Sequence, residues 1–298
     1  MRSLGLEYKF SVAKLTVFLW LSFASKSCTS PVQLEPNKGA NIEIQGHRGC
    51  RGLMPENSIP AFRKAIKLGV KTFELDVVVS KDYKVVVSHE PWLAHEICTD
   101  SEGSLIGAAS EKNWNIYGMT YDSLRRFDCG LKVHPRFPNQ QKMPCYKPLL
   151  SELIDSIHQL IPAEDLRLLW YNIEIKRQAN YDSVYCPPVD TFVDLVLALI
   201  KEKGIEKNCN IQSFDLQTLQ ICKQKAPLLP LSLLVQNNRS PQENVKALGF
   251  KPDIYSCHFK LVNQTLIDWK NSEQILLIPW TVNSKEDAAF YYNGLLMV

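Results

Sequence analysis

The sequence predicts an irregular (β/α)₈ barrel with one inserted segment after its third strand. Three observations carry that expectation. From residue 42 onward, β-type apolar runs of strand length alternate with stretches of helical periodicity, the pattern of a parallel sheet joined by crossover helices. About eight such runs occur, the number that closes a barrel. The length of 298 residues suits one large α/β domain, and a barrel of roughly 250 residues routinely forms one.

The first expected strand is Ile42–His47. A helix over Pro60–Leu68 follows, with Asn57 or Ser58 as its N-cap and Gly69 at its end. Strands Thr72–Val79 and Lys84–Ser88 are separated by a stretch too short for a helix, which reads as a turn, so the barrel is expected to be irregular there. Residues 90–148 carry Gly, Pro, Asn, Cys and His with little periodicity beyond a helical patch near Tyr121–Phe127. A loop of that size is usually functional or a small subdomain. Because it follows a strand ending in His89, it should overhang the catalytic mouth. Further strands are expected at Leu168–Ile175, Cys209–Phe214, Leu228–Val235, Asp253–Phe259 and Ile275–Val282. Further helices are expected at Leu149–Leu160, Val189–Lys203, Leu216–Lys225 and Lys285–Tyr292.

Hydrophobic residues make up 45% of the chain and charged residues 22%, an ordinary globular composition. A net charge of +3 without a long basic run gives no support for nucleic-acid binding. The N-terminus stands apart. Arg2, Lys9 and Lys14 precede the apolar run Leu15–Ala24, and small residues follow, as in a secretory signal peptide. The run is short for a membrane span, which needs about 20 apolar residues. Residues 1–30 are therefore expected to be a signal, residues 31–41 a linker and residues 42–298 the barrel, with 90–148 as the insertion. The chain is expected to be secreted or lumenal, with an uncleaved N-terminal membrane anchor as the alternative. The nine cysteines form no C-x-x-C pair, which argues against zinc. In an oxidising compartment Cys129 and Cys145 are candidates to pair, and the alternative is that several cysteines are simply buried. Asn263-Gln264-Thr265 is a glycosylation sequon if the chain is secreted, and Asn238-Arg239-Ser240 a weaker one.

Polar residues recur at the C-terminal ends of the expected strands, where barrel enzymes place their chemistry. They lie in Gln45-Gly46-His47-Arg48-Gly49, Phe73-Glu74-Leu75-Asp76-Val77, Val87-Ser88-His89-Glu90 and Tyr171-Asn172-Ile173-Glu174-Ile175-Lys176. Side chains two apart on a strand share a face. Glu74 and Asp76 therefore face one way while Phe73, Leu75 and Val77 pack on the other, and Glu174 and Lys176 likewise share a face. A carboxylate pair inside an apolar strand is costly unless something positive binds it. Three convergent carboxylates make a site for a hard cation, Mg²⁺ or Ca²⁺. Arg48 and Lys176 are placed to grip a phosphodiester, and His47 and His89 to exchange protons near neutral pH.

The stretch GHRGCRGLMPENSIPAFRKAIKLGVKTFELDVVVSKDYKVVVSHE closely resembles the N-terminal signature of glycerophosphodiester phosphodiesterases. YNIEIK, IQSFD and IPWTVN follow in the expected order, so the resemblance covers about residues 42–293. It implies a barrel that uses one divalent cation to hydrolyse a small-molecule glycerophosphodiester to glycerol phosphate and an alcohol. It implies metal ligands at Glu74, Asp76 and Glu174, an acid/base pair at His47 and His89, and phosphate contacts at Arg48 and Lys176. It further suggests attack by the glycerol 2-hydroxyl through a cyclic phosphate, which residue spacing alone does not distinguish from attack by water. Glu56 and Asn57 also match the pattern. Glu56 is expected beside the site, orienting a histidine or approaching the metal. Trp280 and Phe214 are candidates to line the glycerol pocket, with core packing as the alternative. Lysophospholipase D action and a catalytically inactive phospho-ligand-binding barrel are the alternative functions; membrane contact is expected only through substrate or an uncleaved N-terminus. The family continues past a stretch like Asn293-Gly294 into another apolar strand; here Gly294–Val298 stands at that place, as a shortened last strand or an incomplete form.

Overall fold

Strand β2 (Thr72–Val79) is buried along its whole length and is the axis of the sheet. Its register places Glu74 beside His47 of β1 (Gln45–His47) and Asp76 beside Glu174 of β4 (Trp170–Ile175), so the polar strand ends converge through backbone pairing alone. The computed structural model describes residues 43–284 together with Glu286 and Asp287. Expectations for the signal, the linker, the helix over Lys285–Tyr292 and the final Gly294–Val298 strand fall wholly or largely outside these residues.

The sheet continues through β5 (Cys209–Ser213), β6 (Leu231–Val235), β7 (Ile254–Cys257) and β8 (Leu276–Leu277), in the order β1-β2-β4-β5-β6-β7-β8, every pair parallel. The short strand β3 (Val85–Val87) is the exception. It turns back from β2 and pairs antiparallel with Val77–Val79, so β2 pairs β4 directly. The third strand is thus an arm of a hairpin and not a stave, because the turn after Val79 leaves no room for a crossover helix. The α/β barrel with an irregularity at its second and third strands is the fold observed.

Helices α1 (Ile59–Lys67), α3 (Leu150–His158), α4 (Val189–Glu202), α5 (Leu216–Lys225), α6 (Pro241–Leu248) and α7 (Gln264–Glu273) connect successive strands; α2 (Tyr121–Leu124) is a single turn inside the insertion. The sequence reading passed over α6 and α7. Ser240 and Glu243 form a capping box at the start of α6, Pro241 occupies its first turn, and Gly249 at φ 86° ends it. Asn263 caps α7 by accepting from the Leu266 N–H at 2.9 Å.

The core lies between sheet and helices. Phe73, Leu75, Val77, Ile173, Ile175, Leu231 and Leu233 face outward onto Phe62, Ile66, Phe192, Val196 and Leu219. The inward faces are polar. Trp170 Nε1 donates to Asn210, Asn210 Nδ2 to Asn172, and Asn172 Nδ2 to Gln45, at 2.6, 2.6 and 2.9 Å. This amide belt satisfies its own hydrogen bonds, as buried polar groups must.

Residues 90–148 carry a second apolar cluster around Leu93, Ile97, Ile116, Leu124 and Phe127, which also takes up Val78 and Val86 from the hairpin. Its disulfide joins Cys98 to Cys129, not Cys129 to Cys145 as expected; Cys145 is a free thiol. Thr99 N–H donates to the Asp128 carbonyl at 2.9 Å and Cys129 N–H to the Cys145 carbonyl at 2.6 Å. Both segments therefore flank Cys129, and spacing in sequence does not choose between them.

Candidate active site

The β1–α1 loop builds the first wall. His47 ends β1, and the chain turns at once, with Gly49 N–H donating to the Gly46 carbonyl at 3.1 Å. Gly49 has φ 84°, and a Cβ there would meet Ala61 Cβ at 2.8 Å, so only glycine lets the loop close onto α1. Arg48 and Asn57 also have left-handed backbones, at φ 51° and 53°. Such positions cost of order 1 kcal/mol or more without glycine and are held by their surroundings. Here Asn57 N–H donates to the Arg48 carbonyl at 3.0 Å, tying the loop's two ends.

Asn57 does not cap α1; Ser58 does, accepting from the Ala61 N–H. The Asn57 side chain instead donates to Asp76 Oδ2 at 2.8 Å. Arg48 donates its backbone N–H to Glu74 Oε2 at 3.0 Å, its Nη1 to Glu56 at 2.6 Å, and lies 3.3 Å from Asp76 through Nε. Glu56 therefore holds Arg48, and with it Arg51 at 2.5 Å and His134 of the insertion at 3.4 Å. Burial alone would raise the Glu56 carboxyl, but His134 and the two arginines hold it well below the usual carboxylate range.

Glu74, Asp76 and Glu174 each offer an oxygen within 4.8 Å of the others, and all three are buried. Gln212 of β5 donates to Glu74 Oε1 at 2.9 Å. Lys176 donates to Glu174 at 2.7 Å and lies 3.7 Å from Asp76. Burial and repulsion from Asp76 and Glu174 push Glu74 well above its usual value. Burial also raises Glu174, against the pull of Lys176. Asp76 is the opposite case: burial would raise it, but Arg48, His89, Lys176 and Asn57 hold it well below. Two buried acids driven toward their neutral forms by burial and by the charge of Asp76 are what a hard divalent cation relieves, so the donor set fits one.

His47 Nε2 lies 3.9 Å from Glu74, and burial together with the Arg48 charge pushes the ring down to about 3. His89 follows β3, and its Nδ1 sits 2.5 Å from Glu90. Burial would raise Glu90, but that contact brings it down to about 2, so an ionised carboxylate fixes the His89 ring. Each histidine side chain keeps more than a quarter of its surface open. Phe214 and Trp280 meet edge to face at 5.5 Å, and His258 joins Trp280 at 5.4 Å. They form an aromatic group beyond β5 and β7; no hydrogen bond, ion pair or ring contact joins it to the triad among the described residues.

Sequence reasoning missed Gln212, Arg51 and His134. Gln212 was legible, because it lies inside the quoted IQSFD stretch and its strand alternation matches that of Glu174, its register partner. His134 was not, since it lies 78 positions along the chain from Glu56.

The profile of the Glycerophosphoryl diester phosphodiesterase family matches residues 47–294, spanning every element of the site. The chain belongs to that family. A glycerophosphodiester phosphodiesterase of Caldanaerobacter subterraneus subsp. tengcongensis is 28% identical over 247 residues, covering 82% of this chain and 87% of the relative. A solved structure from Silicibacter pomeroyi carrying the same family name has a TM-score of 0.74 at 27% identity, covering 85% of this chain and 87% of its own. An Oleispira antarctica phosphodiesterase, solved with the product sn-glycerol-3-phosphate, shares the fold at a TM-score of 0.65 and 20% identity over 85% of this chain and 89% of its own. The glycerophosphodiesterase family thus accounts for the barrel and for the buried acidic triad at its mouth.

Proposed function

We propose that the chain hydrolyses glycerophosphodiesters to sn-glycerol 3-phosphate and an alcohol, with one Mg²⁺ or Ca²⁺ held by Glu74, Asp76 and Glu174 and with His47 and His89 as the acid/base pair. The observation that carries this is the buried triad with two partly open histidines at the same strand ends, His47 3.9 Å from Glu74 and His89 at the end of the β2–β3 hairpin. A divalent ion bound there supplies Lewis-acid chemistry, drawing charge from a phosphoryl oxygen and lowering the pKa of a hydroxyl. Lys176 and Arg48 set a positive field where the phosphate enters, and Glu56, Asn57 and Gln212 hold the charged groups in place. Phe214 and Trp280 offer an apolar wall for the glycerol side.

The nucleophile is the glycerol 2-hydroxyl. One histidine takes its proton as the new P–O bond forms, and the other gives a proton to the leaving alkoxide as the old P–O bond breaks. Water then opens the cyclic 1,2-phosphate with the two roles exchanged. His47→Ala and His89→Ala should each lower kcat by about 10²–10⁴-fold with metal binding intact. A substrate without the 2-hydroxyl should bind and remain uncleaved. Its turnover at an undiminished rate would make water the nucleophile. Glycerophosphocholine, glycerophosphoinositol and lysophosphatidylcholine, each assayed with metal and with excess chelator, test the class. Full activity in chelator removes the metal, and turnover of lysophosphatidylcholine alone makes the chain a lysophospholipase D.

We read residues 1–30 as a secretory signal, or as a membrane anchor if uncleaved. The Cys98–Cys129 disulfide and the exposed Asn263 of the sequon support a lumenal or secreted location. N-terminal sequencing of the chain recovered from medium tests it; recovery only from the cytosol, unprocessed, overturns it.

A further inference from the structure

The cations named so far are all committed. Arg48 serves Glu56 and Asp76, Arg51 serves Glu56, and Lys176 serves Glu174 and Asp76. Lys147 differs. It is 5% exposed, and its ammonium has no hydrogen bond and no ion pair among the described residues, yet it is not one of the fully buried polar atoms, so its tip keeps a small opening to solvent. It stands at the end of the insertion, immediately before Pro148 and Leu149, which pair with Val87 and Val86 of β3. That pairing sets it next to the strand end that carries His89 and Glu90. The charges it feels are those of the site: Glu90, Glu56 and Asp76 attract it, and Arg48 repels it.

An ammonium with so little access to water and no direct partner in the protein is poorly solvated, and burial pushes Lys147 below the usual lysine range. A purely structural position would favour an apolar residue of the same length, because replacing buried charges by apolar groups is often neutral or stabilising. The neighbouring acids are already occupied, Glu56 by two arginines and Glu90 by His89. The group that completes Lys147 is therefore an anion that arrives from outside.

We infer that Lys147 is a positioning residue, delivered by the insertion, whose ammonium takes the anionic phosphoryl group of the substrate and of its glycerol phosphate product. The inference rests on the reading that this mouth binds a phosphodiester. Lys147 makes the insertion part of the substrate site, since the segment closes its contribution one residue before β3 pairing resumes.

The test uses the full chain, with the divalent ion that supports activity, and the variants K147M and K147R. Calorimetric titration with sn-glycerol 3-phosphate should show K147M binding about 10–100-fold more weakly, the effect of losing one hydrogen bond to a charged group. KM for glycerophosphocholine should rise by a similar factor while kcat changes little, the sign of a contact made in both ground and transition states. K147R should recover most of both losses. The thermal midpoint of K147M should hold or rise, which separates lost contact from lost fold. Wild-type affinity and KM in K147M overturn the inference, and so does a K147R deficit equal to that of K147M. The two readings fail differently. If the chain binds glycerol phosphate through Lys147 but cleaves no diester, hydrolysis falls and this contact stands. If it cleaves glycerophosphocholine and K147M is silent, the contact falls alone.

Discussion

Asp76 is held from three sides, by Asn57 at 2.8 Å, Arg48 at 3.3 Å and Lys176 at 3.7 Å, whereas Glu74 receives only neutral donors, from the Arg48 backbone and Gln212. That contrast sets opposite proton occupancies on neighbouring acids. Glu74 and Glu174 have raised values and carry protons at a pH where Asp76 does not. A divalent ion needs all three ionised, so its binding should release protons, and its affinity should fall as the pH drops. Calorimetry near neutral pH in two buffers of different ionisation enthalpy measures this release; identical heats in both buffers would refute it. The face-sharing rule paired Glu74 with Asp76 and Glu174 with Lys176 from sequence alone, because strand periodicity is local and rigid. Asn57 shows the limit. Asn57-Ser58 ahead of Pro60 reads as a helix start, and Ser58 does cap, but the left-handed Asn57 turns its amide toward a residue on the next strand. No local pattern encodes that choice.

Elements were legible where their periodicity was strong. β2, β4 and α4 fall within about two residues of expectation, while β8 shrinks from Ile275–Val282 to Leu276–Leu277. α6 and α7 have mostly polar sequences, so the apolar stripe is thin, and their signals sit in their caps. The insertion is the element least legible from sequence, and its geometry depends on a crosslink. Cys98–Cys129 spans a separation of 31 residues. Closing such a loop restricts the unfolded chain by about 3–4 kcal/mol in the chain-entropy account. C98A/C129A should therefore lower the thermal midpoint and raise the protease sensitivity of residues 90–148, while C145A should leave the midpoint nearly unchanged. A large loss in C145A with none in the single variant C98A would restore the pairing expected from sequence. The insertion is also clasped to the β1–α1 loop, through Gln140 Nε2 to the Arg51 carbonyl at 2.7 Å and Gln141 N–H to the Leu53 carbonyl at 2.9 Å. Loosening it should thus disturb Arg48 and Glu56 and raise KM as well.

Across the molecule, the barrel inverts the usual distribution of polarity: apolar side chains fill the shell between sheet and helices, and amides and carboxylates face inward. An interior of this kind is stable only if its charges are balanced, and among the five carboxylates Glu56, Glu74, Asp76, Glu90 and Glu174 it is Glu74 and Glu174 that are the least compensated. The metal-free fold should therefore carry electrostatic strain that a bound cation removes. Ligand that binds only the folded state stabilises by about 2.7 kcal/mol at a hundredfold excess over Kd, so adding the activating ion should raise the thermal midpoint and chelator should lower it. Glu74→Gln separates this from a generic salt effect. The amide oxygen can still accept from the Arg48 N–H, its Nε2 can donate to Gln212 once that amide turns its oxygen inward, and the charge that Asp76 and Glu174 repel cannot form. E74Q should thus be more stable than the wild type in chelator, gain little or nothing from the ion, and be inactive. The sign is the discriminating feature, since most buried substitutions destabilise. Differential scanning calorimetry of both proteins, with chelator and with ion, gives the four midpoints required. An E74Q midpoint that falls in chelator yet still rises with the ion would show that Glu74 is a packing group and that the cation binds elsewhere.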